Sequence, residues 1–130
     1  FKLGICIRDH NGKFVKAETM LMDGVPQPHE VEAMALFHAL KWVHNTNSSN
    51  VVFEFDCKNL MDTICSNQNG SAEFHRIVAR CRALLSIIPN SMINFARKHS
   101  NQVVLNLAKA FGFMIISNYF IKFQLVFIRL

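Results

Sequence analysis

The chain predicts an α/β fold, a mixed sheet flanked by helices, on three observations. It opens with two alternating segments joined by a turn, then switches to a helical period, then returns to a short apolar, β-branched run. With 130 residues there is room for one core, and a domain of that length buries roughly two-thirds of its unfolded surface. Apolar residues make up 51% and charged residues 18%, which excludes a disordered, collagen-like or low-complexity chain.

Each element has its own local reason. Leu3, Ile5 and Ile7 alternate with Lys2, Gly4 and Cys6, as in a strand. Arg8 to Lys13 contains Asn11-Gly12, a hairpin turn, and Val15, Ala17, Thr19 and Leu21 continue the period of two. Asp23-Gly24 and Pro26 to Pro28 end the pair. From about His29 to His44 the period is helical, with Leu36, Ala39, Leu40 and Val43 on one stripe. Val51 to Phe55 reads as a buried strand ending at Asp56. Helices follow at Lys58–Ser66 and Ala72–Ser86, a strand at Met92–Ala96, and a helix from Ser100 to about Ala110. Pro89-Asn90 stops the third helix.

The segment 112–130 differs from the rest. It is dense in Phe and Ile, with Lys122 and Arg129 as its only charges. Its length is near the minimum for a bilayer span, but Ser117, Asn118, Lys122 and Gln124 interrupt it. Ile121, Phe123 and Leu125 alternate with polar residues as in a strand, so no membrane span is expected. Cys6, Cys57, Cys65 and Cys81 have no C-x-x-C spacing and read as reduced thiols. No secretory signal is visible at the start, so a nuclear or cytoplasmic location is favoured over secretion, and Asn47-Ser48-Ser49 and Asn69-Gly70-Ser71 read as polar loops. The opening Phe1-Lys2-Leu3 has no initiator Met, which suggests a fragment.

Two acids stand where packing alone would not put them. Glu32 lies four residues before Leu36, on the first turn of the apolar stripe, and is expected to point toward the sheet. Asp56 ends a buried strand, at the edge where α/β proteins build sites. An inward acid on a helix and an acid at a strand end can converge on Mg²⁺, which prefers hard oxygen ligands. The same residues also have plain structural uses. Asp56 can cap the next helix, and Glu32, like Glu30, suits the positive end of its own.

Four segments in order carry a resemblance. They are Gly4 to Gly12, Val31-Glu32-Ala33-Met34-Ala35-Leu36, Phe55-Asp56-Cys57-Lys58 and Asn101 to Lys109. Together they resemble the ribonuclease H type 1 domain, in the retroelement-derived form spread through plant genomes, over residues 1–111. The unmatched tail is 112–130. The resemblance implies a ribonuclease H-like mixed sheet, and Mg²⁺-dependent endonucleolytic hydrolysis of RNA in an RNA–DNA hybrid. Four carboxylates would hold two ions roughly 4 Å apart. By that resemblance Glu32 and Asp56 are catalytic residues and metal ligands.

The remaining ligands do not carry over. The family's first Asp lies on a central strand upstream of the opening hairpin; this sequence is read as starting at the strand after it, so that Asp is expected to be absent. Loss of that strand is expected to expose pairing groups and apolar surface, and so to lower solubility, unless the Phe-rich tail occupies the vacant slot, which nothing in the sequence shows. Asp9 is no substitute, because it sits in the hairpin turn. The last ligand belongs in the segment Asn101 to Lys109, where Leu105 stands in the acid's position, and Phe95 matches a His that the family often carries. No Asp or Glu follows Glu73 anywhere in the chain. The two-metal site is therefore expected to be incomplete and hydrolysis impaired.

The acid-free part holds Arg76, Arg80, Arg82, Arg97, Lys98 and Lys109. Arg76 and Arg80 are four apart and share a helix face; with Arg97 and Lys98 they are candidate contacts for the phosphates of a hybrid. An ordinary solvated helix face is the alternative. Trp42 and Phe53 fit a core better than a base-stacking platform, and His29, His38 and His75 read as surface or packing residues. Two further readings stand beside the impaired enzyme: a non-catalytic nucleic-acid-binding module, and a decayed retroelement-derived fragment.

Overall fold

The opening hairpin forms as its period of two requires. β1 (Lys2–Arg8) pairs antiparallel with β2 (Phe14–Leu21), from Lys2 opposite Leu21 to Ile7 opposite Lys16, with an irregularity between Ile7 and Arg8. Asp9 closes the turn twice. Its N–H donates to the Lys13 carbonyl, and its Oδ1 accepts the Lys13 N–H, both at 2.9 Å. The carboxylate thus serves the hairpin turn in which its sequence position placed it. The computed structural model describes residues 2–9, 13–24, 26–55, 57–66, 72–95 and 123–129.

α1 (Pro28–Asn45) starts with proline in its first turn, where the missing N–H costs nothing. Gln27 offers no side-chain cap, but its carbonyl accepts the N–H groups of Glu30 and Val31 at 3.0 and 3.1 Å. The expected stripe is the buried face, and Val31, Ala33 and Ala35 widen it. This helix is the packing hub, touching β1, β5, β3, α2 and α3. After it, Asn47 and Asn50 take left-handed backbone angles that asparagine tolerates, and the chain enters β3 (Val52–Phe55).

β3 pairs parallel with β4 (Met92–Phe95), and α2 (Lys58–Ser66) and α3 (Glu73–Ile87) supply the crossover that a parallel pair needs. Its two inward residues, Phe53 and Phe55, are fully buried. The loops entering the pair are tied together at one end. Asn50 N–H donates to the Pro89 carbonyl at 3.1 Å, Met92 N–H to the Val51 carbonyl at 3.0 Å, and the Asn90 amide to the Asn50 side-chain oxygen. Asn90, like Asn50, is left-handed.

The largest difference from the sequence reading lies at the centre of the sheet. The fifth strand, β5 (Phe123–Arg129), comes from the segment that the resemblance left unmatched. The strand order is β2-β1-β5-β3-β4. β5 runs parallel to β1, from Lys2 opposite Phe123 to Arg8 opposite Arg129, and antiparallel to β3, with Val52 opposite Arg129 and Glu54 opposite Phe127. The pairing groups expected to be exposed by a missing central strand are therefore satisfied between β1 and β3. The alternation around Phe123 signalled a strand, but choice of partner depends on chain segments far away in sequence. The helix expected from Ser100 to Ala110 lies outside the described residues.

One core results. It joins Leu3, Ile5 and Ile7 of β1 to the α1 stripe, to Phe53 and Phe55, and to Leu60, Phe74, Ile77, Val78 and Cys81 of α2 and α3. Trp42 packs at its margin, with the Lys16 ammonium 5.9 Å from the ring centre, so both aromatic residues singled out in the sequence, Trp42 and Phe53, serve packing. Among the described residues, no helix is long and apolar enough to cross a membrane.

Candidate functional site at the α1 first turn and the α3 face

Glu32 is buried, with 6% of its surface exposed, and it shares that state among polar and charged residues only with Thr63 in the described part of the chain. The inward direction read from its spacing to Leu36 is what the fold produces. Burying a carboxylate is costly unless a compensating interaction accompanies it, so a first-turn acid there is not explained by the helix end alone. Glu30, two residues earlier, is half-buried at the same end. Asp56, the second expected ligand, lies outside the described residues; Phe55 ends β3 before it and Lys58 opens α2 after it. Among the described residues, no three His, Cys, Asp or Glu side chains gather as a metal-binding group.

The first turns of α1 and α3 lie together. His29 stands edge-on to Phe74, with ring centres 4.7 Å apart, and His75 meets the same ring at 5.6 Å. Farther along, the Cys81 thiol lies 3.7 Å from the Ala33 carbonyl, to which it donates. These contacts bring the helix turn that carries Glu32 beside the part of α3 that carries Arg76. They also give the histidines a packing role, as their scattered positions suggested. His38 packs on Phe37, and burial, aided by the Lys41 charge, lowers its pKa below the ordinary histidine value.

The basic residues divide by position on α3. Phe74, Ile77, Val78 and Cys81 form the buried stripe, and Arg76 and Arg80 lie exposed on another face. Arg76 meets Glu73 at 3.6 Å, but the side chains are 66% and 57% exposed, so the pair is weak and a phosphate can displace it. Arg82 does something else. Its Nε donates to the Ile64 carbonyl at 3.2 Å and its Nη2 to the Thr63 carbonyl, so it caps the C-terminal end of α2. The sequence reading groups it with the other basic residues; its place four residues beyond the buried Val78 was the available signal. Arg97 and Lys98 lie outside the described residues, as does Leu105.

The cysteines agree with the reduced reading where they are described. Cys57, Cys65 and Cys81 are free thiols. Burial pushes the Cys81 thiol up to about 12, with neighbouring Arg82 opposing the shift only in part.

A five-stranded mixed sheet, a long helix with a buried acid in its first turn and a helical crossover between parallel strands narrow the fold to a few families. The sequence profile of the reverse transcriptase-like family matches residues 2–111. The chain belongs to that family. It is a ribonuclease H-like domain of retroelement type, as the four ordered motifs implied. The match ends before β5, so the central strand of this ribonuclease H-like sheet is built from residues beyond the family region. No curated protein and no solved structure matches the chain.

Proposed function

We propose that this ribonuclease H-like domain binds nucleic acid, with an RNA–DNA hybrid as its ligand, and hydrolyses it poorly or not at all. The observation that carries the reading is the split of charge along the chain. Residues 74–130 hold eight Lys or Arg and no Asp or Glu, while all nine acids lie in residues 1–73. In the fold, Arg76 and Arg80 present that basic half on an exposed face next to the helix turn of Glu32. Phosphates are attracted to such a face by counterion release, whatever the base sequence.

The donor chemistry does not fit the two Mg²⁺ ions that the family implies. Glu32 and Asp56 are the two carboxylates that match ligand positions. β5, the strand at the centre of the sheet, reads Phe-Gln-Leu-Val-Phe-Ile-Arg and brings no acid, and the position expected to supply the last ligand is Leu105. Two carboxylates can hold one hard cation weakly, but a pair of ions that clamps both the attacking and the leaving oxygen needs more. The role left for Glu32 and Asp56 is therefore that of a residual pair, and the basic face keeps its use without them.

The test is binding of a fluorescently labelled RNA–DNA hybrid at several salt concentrations. The expected result is an affinity that falls steeply with salt, and a slope reduced by about two when Arg76→Ala and Arg80→Ala are combined, roughly one per phosphate contact. Absence of binding at low salt would contradict the proposal and favour a decayed fragment.

A further inference from the structure

We propose that the seam between β1 and β3 is a strand-binding site, and that the segment Phe123–Arg129 is its ligand, recognised by pairing and not by its attachment to the chain. The sheet is made of two ladders, β2 with β1 and β3 with β4, and among the described residues β5 alone joins them. β1 and β3 have no ladder of their own; each presents one edge to β5. Removal of β5 thus leaves two open edges facing each other, with α1, which touches all three strands, as the floor. Unpaired edges of that kind accept an extended segment readily.

Three observations separate this ligand from the body that holds it. The family match ends at residue 111, so β5, which begins at Phe123, lies beyond the part of the chain that the family shares. Residues 96–122 intervene between β4 and β5, a connection long enough to place the strand in either direction. The site nevertheless selects one direction: seven register pairs with β1, all parallel, and three with β3, all antiparallel. A segment carrying β-branched and aromatic residues, with no proline or glycine, suits a strand paired on both sides.

Two measurements on the full chain test the proposal. In the first, Val126→Pro removes a pairing N–H from the middle of β5, and a synthetic Phe-Gln-Leu-Val-Phe-Ile-Arg peptide is added. The expected result is loss of amide protection along the edge of β1 that faces β5 in the variant, restored saturably by one peptide per chain and not by the same peptide carrying the Pro. The second does not depend on that variant's folding. Cys6 is the register partner of Phe127, so the Phe127→Cys variant is expected to form an intramolecular disulfide with Cys6 on oxidation. A labelled copy of the peptide is expected to enter the reduced protein under mild denaturant and to be excluded from the locked one. Equal uptake by locked and reduced protein, failure of the disulfide to form, or a disulfide formed only between two molecules would each overturn the assignment.

Discussion

Glu32 and Cys81 show how much one buried side chain constrains an interpretation. Glu32 was legible from spacing alone, because a residue four before Leu36 on a helix must share its face. Cys81 was legible as a reduced thiol, but its partner was not, since the Ala33 carbonyl belongs to another helix. Its thiol, raised from 9.0 to about 12, stays protonated in the fold where an unfolded chain ionises. The folded state then holds the extra proton, so this contribution is complete below pH 9 and is lost as pH rises toward about 12. Denaturant titrations at pH 8, 9 and 10 are expected to show falling stability, and Cys81→Ala is expected to flatten that fall. A thiol reagent is expected to label exposed Cys65 quickly and Cys81 only on unfolding. Core residues follow a simpler rule: Phe53→Ala, at a fully buried position in β3, is expected to cost about 3–5 kcal/mol in a denaturant titration.

At the scale of elements, β1 through β4 and the three helices were readable because each is specified locally. Periods of two, a helical stripe, Pro28 and Pro89 set them within a residue or two of where they stand. The pairing of β5 was not readable, because nothing within Phe123–Arg129 names β1 and β3 as its neighbours. The task of Arg82 was hidden for a related reason: its acceptors, the Thr63 and Ile64 carbonyls, come within reach only once α2 has docked on α3. Truncating it leaves carbonyls at a helix end without their donor, and a lost bond to a charged group is worth about 1.5–3 kcal/mol. Arg82→Ala is therefore expected to destabilise the fold by about that much, with faster amide exchange in α2 than in α1. Arg82→Lys is expected to recover only part, since lysine lacks the fork that reaches two carbonyls.

The whole molecule combines a ribonuclease H-like fold with an uneven distribution of charge along the chain. All nine acids lie before residue 74, while the basic face of α3 and the central strand lie after it. A fold can persist under those conditions, because sheet pairing and core packing ask nothing of the carboxylates. Two-metal hydrolysis asks more, because two bound ions need several oxygen ligands at once. The most direct measurement is incubation of the protein with a labelled RNA–DNA hybrid and Mg²⁺, followed over time for both retention and cleavage. Salt-sensitive retention with the RNA strand intact is the predicted result. Cleavage of the RNA strand that disappears in Asp56→Asn would contradict it.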